Sequence, residues 1–400
     1  MSGGISKTRR GKRTVIMRQP RAPRASVTFR RPLLSRNDRV HNGVDVRVAG
    51  GPGCPDGDAM HCLFDSSLVN DSFGDPGLYV DFRDQRRALL FDLGDVSGLP
   101  PRRLLRLSHV FVTHAHMDHF AGFDHLLRVV LGRKAQIVLV GGPGFTAQVE
   151  HKLRAYTWNV VHRYEVPLLI EARELDVDGA SVCAQFSSRS GFEREPGAPC
   201  TTAAAGDVLH DEPAFRIRAR FVDHGTPCLA YAIEEKLRVG IDRDRLLAQG
   251  FAAGAWLGRL KHALLTGLPD DTPLAVQWRD RQGEHATRRA LGDLRSLVVD
   301  IAPGRKLGYV TDLRYTEENV DALVKLLAGV DQLYIETVFL DADAEHGVRK
   351  HHLTAGQAGR IARRIGARMV VPFHFSPRYQ GRAQALIDEL QAAWAGPPPC

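Results

Sequence analysis

The chain has 400 residues, of which 44% are hydrophobic and 25% charged, a composition that can build a substantial buried core. No uninterrupted apolar run approaches the roughly 20 residues that a transmembrane helix needs, which argues against a membrane protein. The six cysteines include no C-x-x-C pair, which argues against a zinc knuckle or a disulfide framework and suits a reducing cytoplasm.

The positive charge is concentrated at the N-terminus. Residues 1–40 contain twelve Lys or Arg and a single acid, Asp38, whereas the rest of the chain is slightly acidic. Arginines mixed with prolines and without hydrophobic periodicity predict that residues 1–42 form a disordered basic extension, able to lie along phosphates, ahead of one domain over residues 43–400. A solvated extension without a role, a wrongly assigned start codon and an organelle transit peptide are the alternatives.

The most informative motif is H-x-H-x-D-H at residues 114–119, directly after a strand-like apolar run. His114 and His116 are two residues apart, so in an extended loop both can hold one ion, while Asp118 and His119 turn towards a second. Because imidazole and carboxylate groups are ligands of zinc and manganese, the spacing predicts two divalent ions, zinc or manganese. A polar loop or a helix cap is the alternative.

Three further ligand candidates stand where predicted strands end. Residues 215–222 alternate apolar and basic side chains, as a half-buried strand does, and lead to His224. Asp312 and His374 likewise follow strand-like runs, and a carboxylate at Asp312 can bridge two cations. Loop residues at the ends of rigid strands commonly carry functional groups. A turn or cap residue is the alternative at each position.

Residues 236–295 fit the alternation of strands and helices poorly, so we expect them to form an inserted substrate-binding arm. Trp256, Trp278 and Lys261 are its candidate contacts with the substrate. An ordinary long insertion with a buried Trp is the alternative.

Glu336 and His352, which follow the arm in the sequence, are candidates for acid chemistry. Thr354 and Gln357 have the spacing of a capping box, which begins a helix just beyond His352 and fixes the direction of that side chain. Glu336 ends a strand-like run and can accept a hydrogen bond from one nitrogen of His352, so that the other nitrogen stays protonated towards a leaving group. A purely structural Glu and His pair is the alternative.

The order of these motifs resembles the metallo-β-lactamase fold and, within that superfamily, ribonuclease Z, the endonuclease family that trims the 3′ trailer from precursor tRNA. The family-specific matches are to H-x-S-x-R-Y, H-S-T and H-E-A-T-F, at His374-Phe375-Ser376-Pro377-Arg378-Tyr379, His352-Leu353-Thr354 and Ile335-Glu336-Thr337-Val338-Phe339. The resemblance runs from about Asp92 to Tyr379. Met117 departs from it, because close family members have Gly there, and residues 252–255 only partly match the Gly-Pro element of the family's arm.

The resemblance implies an α+β fold, the αββα sandwich in which two facing mixed β-sheets carry helices on their outer sides. It also implies that Asp118 orients the nucleophile, and it assigns Glu336 and His352 to the acid role. Ser376, Arg378 and Tyr379 follow the last metal ligand, so a guanidinium and two hydroxyls there are candidates to bind the phosphates beside the cut. The predicted metal ligands are His114, His116, Asp118, His119, His224, Asp312 and His374.

The predicted function is therefore phosphodiester hydrolysis by a hydroxide formed between two metal ions, as in a ribonuclease Z-like endoribonuclease. The expected partners are RNA, in particular precursor tRNA, and a second copy of the chain, in the cytoplasm and without a membrane. Two alternatives stay open. One is a hydrolase of the same fold that acts on a small phosphodiester, lactone or thioester, and the other is a non-catalytic RNA-binding relative. Several histidines, His109 and His351 among them, receive no role.

Overall fold

Two seven-stranded β-sheets form the centre of the structure, a computed structural model. It describes residues 48–49, 63–83, 85–195, 207–280 and 283–396. The extension predicted for residues 1–42 lies outside the described residues.

The first sheet contains consecutive strands in chain order, from β2 to β8. The pairs from β4 to β7 are parallel and the outer pairs are antiparallel, so the sheet is mixed. Its strands are β2 Phe64–Leu68, β3 Leu78–Phe82, β4 Ala88–Phe91, β5 Leu107–Phe111, β6 Gln136–Gly141, β7 Leu169–Leu175 and β8 Ser181–Ser187.

The second sheet has the strand order β1-β18-β17-β16-β11-β10-β9 and is also mixed, because β16, β17 and β18 are parallel and the other pairs antiparallel. Its strands are β1 Val48–Ala49, β9 Val208–Asp211, β10 Phe215–Asp223, β11 Pro227–Glu235, β16 Lys306–Val310, β17 Gln332–Glu336 and β18 Met369–Phe373.

Helices lie on the outer side of both sheets. The helices of the described residues are α1 Pro101–Leu104, α2 Met117–Phe120, α3 Phe123–Val130, α4 Phe145–Arg154, α5 Arg243–Ala248, α6 Ala255–Leu265, α7 Leu291–Val298, α8 Glu317–Leu327, α9 Ala344–Lys350, α10 Ala355–Ile365 and α11 Ala383–Ala395. Apolar side chains of α3 and α4 pack with the outer face of the first sheet, and those of α8, α10 and α11 pack with the outer face of the second. No helix of the described residues has the length and apolar character to cross a membrane.

A third apolar cluster lies between the sheets and joins their inner faces. Phe91 and Phe111 of the first sheet meet Tyr231 and Tyr309 of the second, with ring centroids 5.4 Å apart for Phe91 and Tyr231 and 6.0 Å apart for Phe91 and Tyr309. The alternation predicted for residues 215–222 is explained by this contact, because every second side chain of β10 enters the inner layer. The layers are therefore helix, sheet, sheet, helix, as expected for the predicted α+β sandwich.

The strand before the metal-ligand motif begins and ends earlier than its apolar run suggested. β5 covers Leu107–Phe111, and Thr113 has left the ladder. Its amide donates instead to Asp92 Oδ1 at 2.7 Å, because the end of β4 brings that carboxylate alongside. The backbone is thus released from the sheet just before the first histidine.

The segment from Leu237 to Pro303 has an apolar core of its own. The hairpin of β13 Pro273–Asp280 and β14 Gly283–Ala290 and the pair of β12 Leu237–Ile241 and β15 Val299–Pro303 are separate two-stranded sheets. Trp256 is completely buried in this core, so it stabilises the segment rather than meeting a substrate. The arm function expected for residues 236–295 stays a prediction.

Two cysteines have defined states in the structure. Cys228 is a buried free thiol, whereas Cys183 in β8 is disulfide-bonded. The spacing of the cysteines along the sequence did not indicate the second state, because disulfide pairing depends on tertiary proximity.

Candidate metal centre

The metal-ligand motif is divided between a loop and the first turn of a short helix. His116 is the N-cap of α2 and has an extended backbone with φ −67° and ψ 157°. Asp118 and His119 follow inside the helix, so they point in a different direction from His114 and His116. This change of backbone conformation is the physical basis for two groups of ligands within one motif of six residues.

Asp312, at the end of β16, is the centre of the ligand set. Its Oδ2 atom lies 3.7 Å from His114 Nε2, 3.4 Å from His119 Nε2 and 3.4 Å from His224 Nε2. Its Oδ1 atom lies 3.0 Å from His374 Nδ1. The structure therefore brings together residues from the ends of β5, β10, β16 and β18.

Three overlapping groups have ligand atoms within 4.8 Å of one another. They are His114, His116, His224 and Asp312; Asp118, His119 and His374; and Asp312, Glu336, His352 and His374. The first two groups together contain all seven residues predicted as metal ligands.

The donor atoms fit a divalent metal. His114 Nε2 and His119 Nε2 are buried and have no hydrogen-bond partner, an arrangement that costs free energy unless another group satisfies them. Burial, with a smaller contribution from His119, lowers the pKa of His114 to about 2, and burial lowers that of His224 to about 4. Both imidazoles are thus neutral at pH 7, the form that binds a metal ion.

Asp92 orients the second group of ligands. Its Oδ2 atom accepts hydrogen bonds from His119 Nδ1 at 2.9 Å and from the hydroxyl of Tyr309 at 3.1 Å. Asp92 is completely buried and has a φ of 59°, so the end of β4 adopts a costly conformation to present this carboxylate. The sequence reasoning assigned no role to Asp92, although its position directly after an apolar strand was the available signal.

Gly94 lets the metal-ligand helix approach the end of β4. A Cβ atom at this position would collide with the carbonyl oxygen of Asp118 and with the carbonyl oxygen of Pro76. Glycine is required here because the backbone carrying a ligand passes directly over it.

The predicted hydrogen bond between the acid pair is present. His352 Nδ1 lies 2.8 Å from Glu336 Oε2, and Glu336 Oε1 accepts the backbone amides of Leu313 at 2.9 Å and Leu353 at 3.2 Å. Burial lowers the pKa of His352, but the charge of Glu336 and its hydrogen bond outweigh burial and raise it above the usual value. A Glu and His pair therefore lies beside the ligand group, and its imidazole is shifted towards the protonated form.

The residues predicted to bind phosphate lie just after His374. Arg378 and Tyr379 belong to the single turn Pro377–Tyr379, and Ser376 is its N-cap. The guanidinium of Arg378 is 40% exposed, 3.1 Å from Asp343, and lies over the ring of Phe339 with its Cζ atom 5.5 Å from the centroid. Ser376 is half-buried. Tyr379 is buried and its hydroxyl is engaged by Leu340 and Asp343, so in this structure it supports the turn rather than facing a ligand.

This chain is similar to one domain family and to several individual proteins. The family described as the beta-lactamase superfamily domain matches residues 266–375. Among solved structures, the short form of human tRNase Z aligns with a TM-score of 0.45 at 17% identity, over 79% of this chain and 92% of that one. Ribonuclease Z of Deinococcus radiodurans is 32% identical over 340 residues, which are 83% of this chain and 96% of that protein. This chain belongs to the ribonuclease Z family.

The family assignment confirms the resemblance and the fold class that the motifs predicted, and with them the enzyme class, a metal-dependent hydrolase of the nuclease type. Ribonuclease Z of Thermobifida fusca is 36% identical over 295 residues, 72% of this chain and 74% of that protein. Met117, the departure from the family within the metal-ligand motif, is 83% exposed between two predicted ligands. Because its side chain projects into solvent, the substitution leaves the ligand geometry intact.

Proposed function

We propose that this protein is a metal-dependent endoribonuclease that removes the 3′ trailer from precursor tRNA. The observation that carries the proposal is the convergence of ligand atoms on Asp312, beside the buried Glu336 and the half-buried His352. Relatives that cover most of the chain are themselves named ribonuclease Z. A hydrolytic centre with its own proton donor is what phosphodiester cleavage requires.

Two divalent ions are the proposed cofactors, and zinc is preferred over manganese because the set is rich in imidazole. When bound, the ions supply an activated water at neutral pH and stabilise the negative charge that develops on the phosphate. The residues that would hold the first ion are His114, His116, His224 and Asp312, and those for the second are Asp118, His119, His374 and Asp312.

The chain's own residues move the protons. Burial raises the pKa of Asp118, but its hydrogen bond with His374 and the positive charges of His119 and His374 together outweigh burial and lower it to about 2. This carboxylate is therefore ionised and can orient the attacking water. Glu336 accepts a hydrogen bond from His352 Nδ1, which leaves Nε2 to donate to the departing oxygen. His352 is thereby the general acid and Glu336 its partner.

The substrate contacts in this proposal come from three parts of the chain. Arg378, with its partly exposed guanidinium, and Ser376 bind phosphates beside the cut. The segment 236–295 grips the tRNA, and its Trp278 ring, stacked on His285 at 5.0 Å, is the aromatic surface offered to it. The basic residues 1–42 add sequence-independent attraction for RNA. We further propose that the protein acts as a homodimer in the cytoplasm.

The test is incubation of the purified protein with a 3′-extended tRNA transcript and zinc or manganese. We expect one cut at the trailer junction, and none with His116→Ala, which removes a ligand from the centre. Cleavage of a chromogenic phosphodiester without cleavage of the transcript would favour a hydrolase of small substrates. Transcript binding without hydrolysis of either substrate would favour a non-catalytic RNA-binding protein.

A further inference from the structure

His224 and His351 hydrogen bond to each other in both directions. His224 Nδ1 lies 2.9 Å from the carbonyl oxygen of His351, and His351 Nδ1 lies 3.2 Å from the carbonyl oxygen of His224. His224 is a predicted metal ligand at the end of β10, and His351 directly precedes the proposed acid, His352. The contact therefore joins the loop of a metal ligand to the loop of the proton donor.

Arg314 fixes which nitrogen of His351 carries the proton. Its Nη2 atom lies 2.9 Å from His351 Nε2 but 3.5 Å from Nδ1, so the shorter contact is the one to Nε2. Since arginine has donors only, Nε2 must accept. The proton of His351 is then on Nδ1, where it is donated to the carbonyl of His224. Arg314 is itself held by Asp223, whose Oδ2 atom lies 2.8 Å from Nη1.

The backbone on both sides is shaped for this contact. His351 ends α9 in the left-handed region with φ 62°, a conformation that costs free energy for a side chain with a Cβ. Gly225, with φ 80°, lies against the ring, and a Cβ atom there would be 2.5 Å from His351 Nδ1. A strained residue on one loop thus meets a glycine on the other.

We propose that His351 is a positioning residue that aligns His224 with His352 through this arrangement, called here the clasp and formed by His224, His351 and Arg314. The inference rests on the proposed function, because it depends on the roles given there to His224 and His352. The rings of His224 and His352 are 5.0 Å apart, so the metal ligand and the acid are direct neighbours. The clasp holds that separation.

The experiment compares two substitutions that both suit a left-handed backbone. His351→Gly relieves the strain and removes the donor, whereas His351→Asn keeps an N–H near the position of Nδ1. Lys350→Ala, an exposed neighbour, is the control. The measurements are the visible spectrum of the cobalt-substituted protein, the rate at which a chelator removes the metal, and kcat and KM on a 3′-extended tRNA.

We expect His351→Gly to alter the cobalt spectrum, to release metal about tenfold faster and to lower kcat with little change in KM. We expect His351→Asn to keep the wild-type cobalt spectrum, metal release rate and kcat, and Lys350→Ala to match the wild type. A wild-type spectrum and release rate in His351→Gly would overturn the clasp, as would equal losses in the Gly and Asn variants. A wild-type protein that binds cobalt without cleaving the transcript would overturn the proposed function instead, while the spectrum still judges the clasp.

Discussion

Single buried carboxylates decide how the imidazoles of this site are directed. Asp92 accepts a hydrogen bond from Nδ1 of His119, so Nε2 of that ring is the atom left to face a metal. Such partners of a metal ligand fix its tautomer and its orientation. Glu336 does the same for His352 on the acid side.

Asp92→Asn tests this role. Asparagine tolerates a positive φ, so the backbone is preserved, but the negative charge next to His119 is lost. We expect metal binding to weaken by about 10- to 100-fold in a zinc titration against a competing chelator. Asp95→Asn, on the exposed side of the same loop, should bind zinc like the wild type. Wild-type affinity in Asp92→Asn would contradict the role.

Arg378→Ala tests phosphate recognition by the turn after β18. Loss of a charge-assisted hydrogen bond of about 1.5 kcal/mol should raise KM for the tRNA precursor by about tenfold, while the metal content stays unchanged. Arg382→Ala is the matched control, since that guanidinium lies over the ring of Tyr379 instead. An unchanged KM in Arg378→Ala would exclude the contact.

At the scale of elements, the functional groups stand where one element ends and the next begins. α10 starts with a capping box in which Thr354 accepts the amide of Gln357 and the Gln357 side chain accepts the amide of Thr354. The hydroxyl of Thr354 also donates to Asp341. The N-cap of the helix is therefore fixed two positions after His352.

Thr354→Ala removes this cap. We expect a loss of about 1 kcal/mol of unfolding free energy in a urea titration and a lower kcat on the precursor, because His352 gains freedom of direction. Thr354→Ser keeps the hydroxyl and should retain both values. A wild-type kcat in Thr354→Ala, despite the lower stability, would show that the cap does not control the direction of His352.

At the scale of the whole molecule, an ion pair joins the two sheets away from the metal centre. Arg87, just before β4, binds Glu212, just after β9, with Nη1 2.7 Å from Oε2, and the rings of His109 and His210 lie 4.5 Å apart beside them. Burial raises the pKa of Glu212, but its hydrogen bonds to His210 and Arg87 outweigh burial and bring it to about 2.

Glu212→Gln therefore changes stability in a pH-dependent way. The pKa of Glu212 is depressed in the folded state. Its contribution to the free energy of unfolding is therefore present above the ordinary pKa of 4.5 and is lost as the pH falls towards 2. We expect the variant to be less stable by about 2 kcal/mol at pH 7, with the difference shrinking below pH 4.5. Asp211→Asn, at the exposed neighbouring position, should show little change. A difference independent of pH would contradict the assignment.

Features that depend only on neighbouring residues could be predicted from the sequence. The alternation along β10 and the capping box at Thr354 are local patterns, and the structure contains both elements that they predicted. The spacing of H-x-H-x-D-H is equally local, and the two-metal site that it indicates stays a prediction. The strand-end positions of Asp312 and His374 were visible for the same reason, because hydrophobic periodicity stops where a strand stops.

The residues that support the site from distant parts of the chain could not be identified without the packed structure. Asp92 and Tyr309 are 217 positions apart in the chain, and His224 and His351 are 127 apart, so no local pattern could pair them. The burial of Trp256 and the hydrogen bond from the Tyr379 hydroxyl to Asp343 could not be predicted for the same reason. Local periodicity specifies an element and one of its faces, whereas the partner of each side chain depends on how the two sheets pack together.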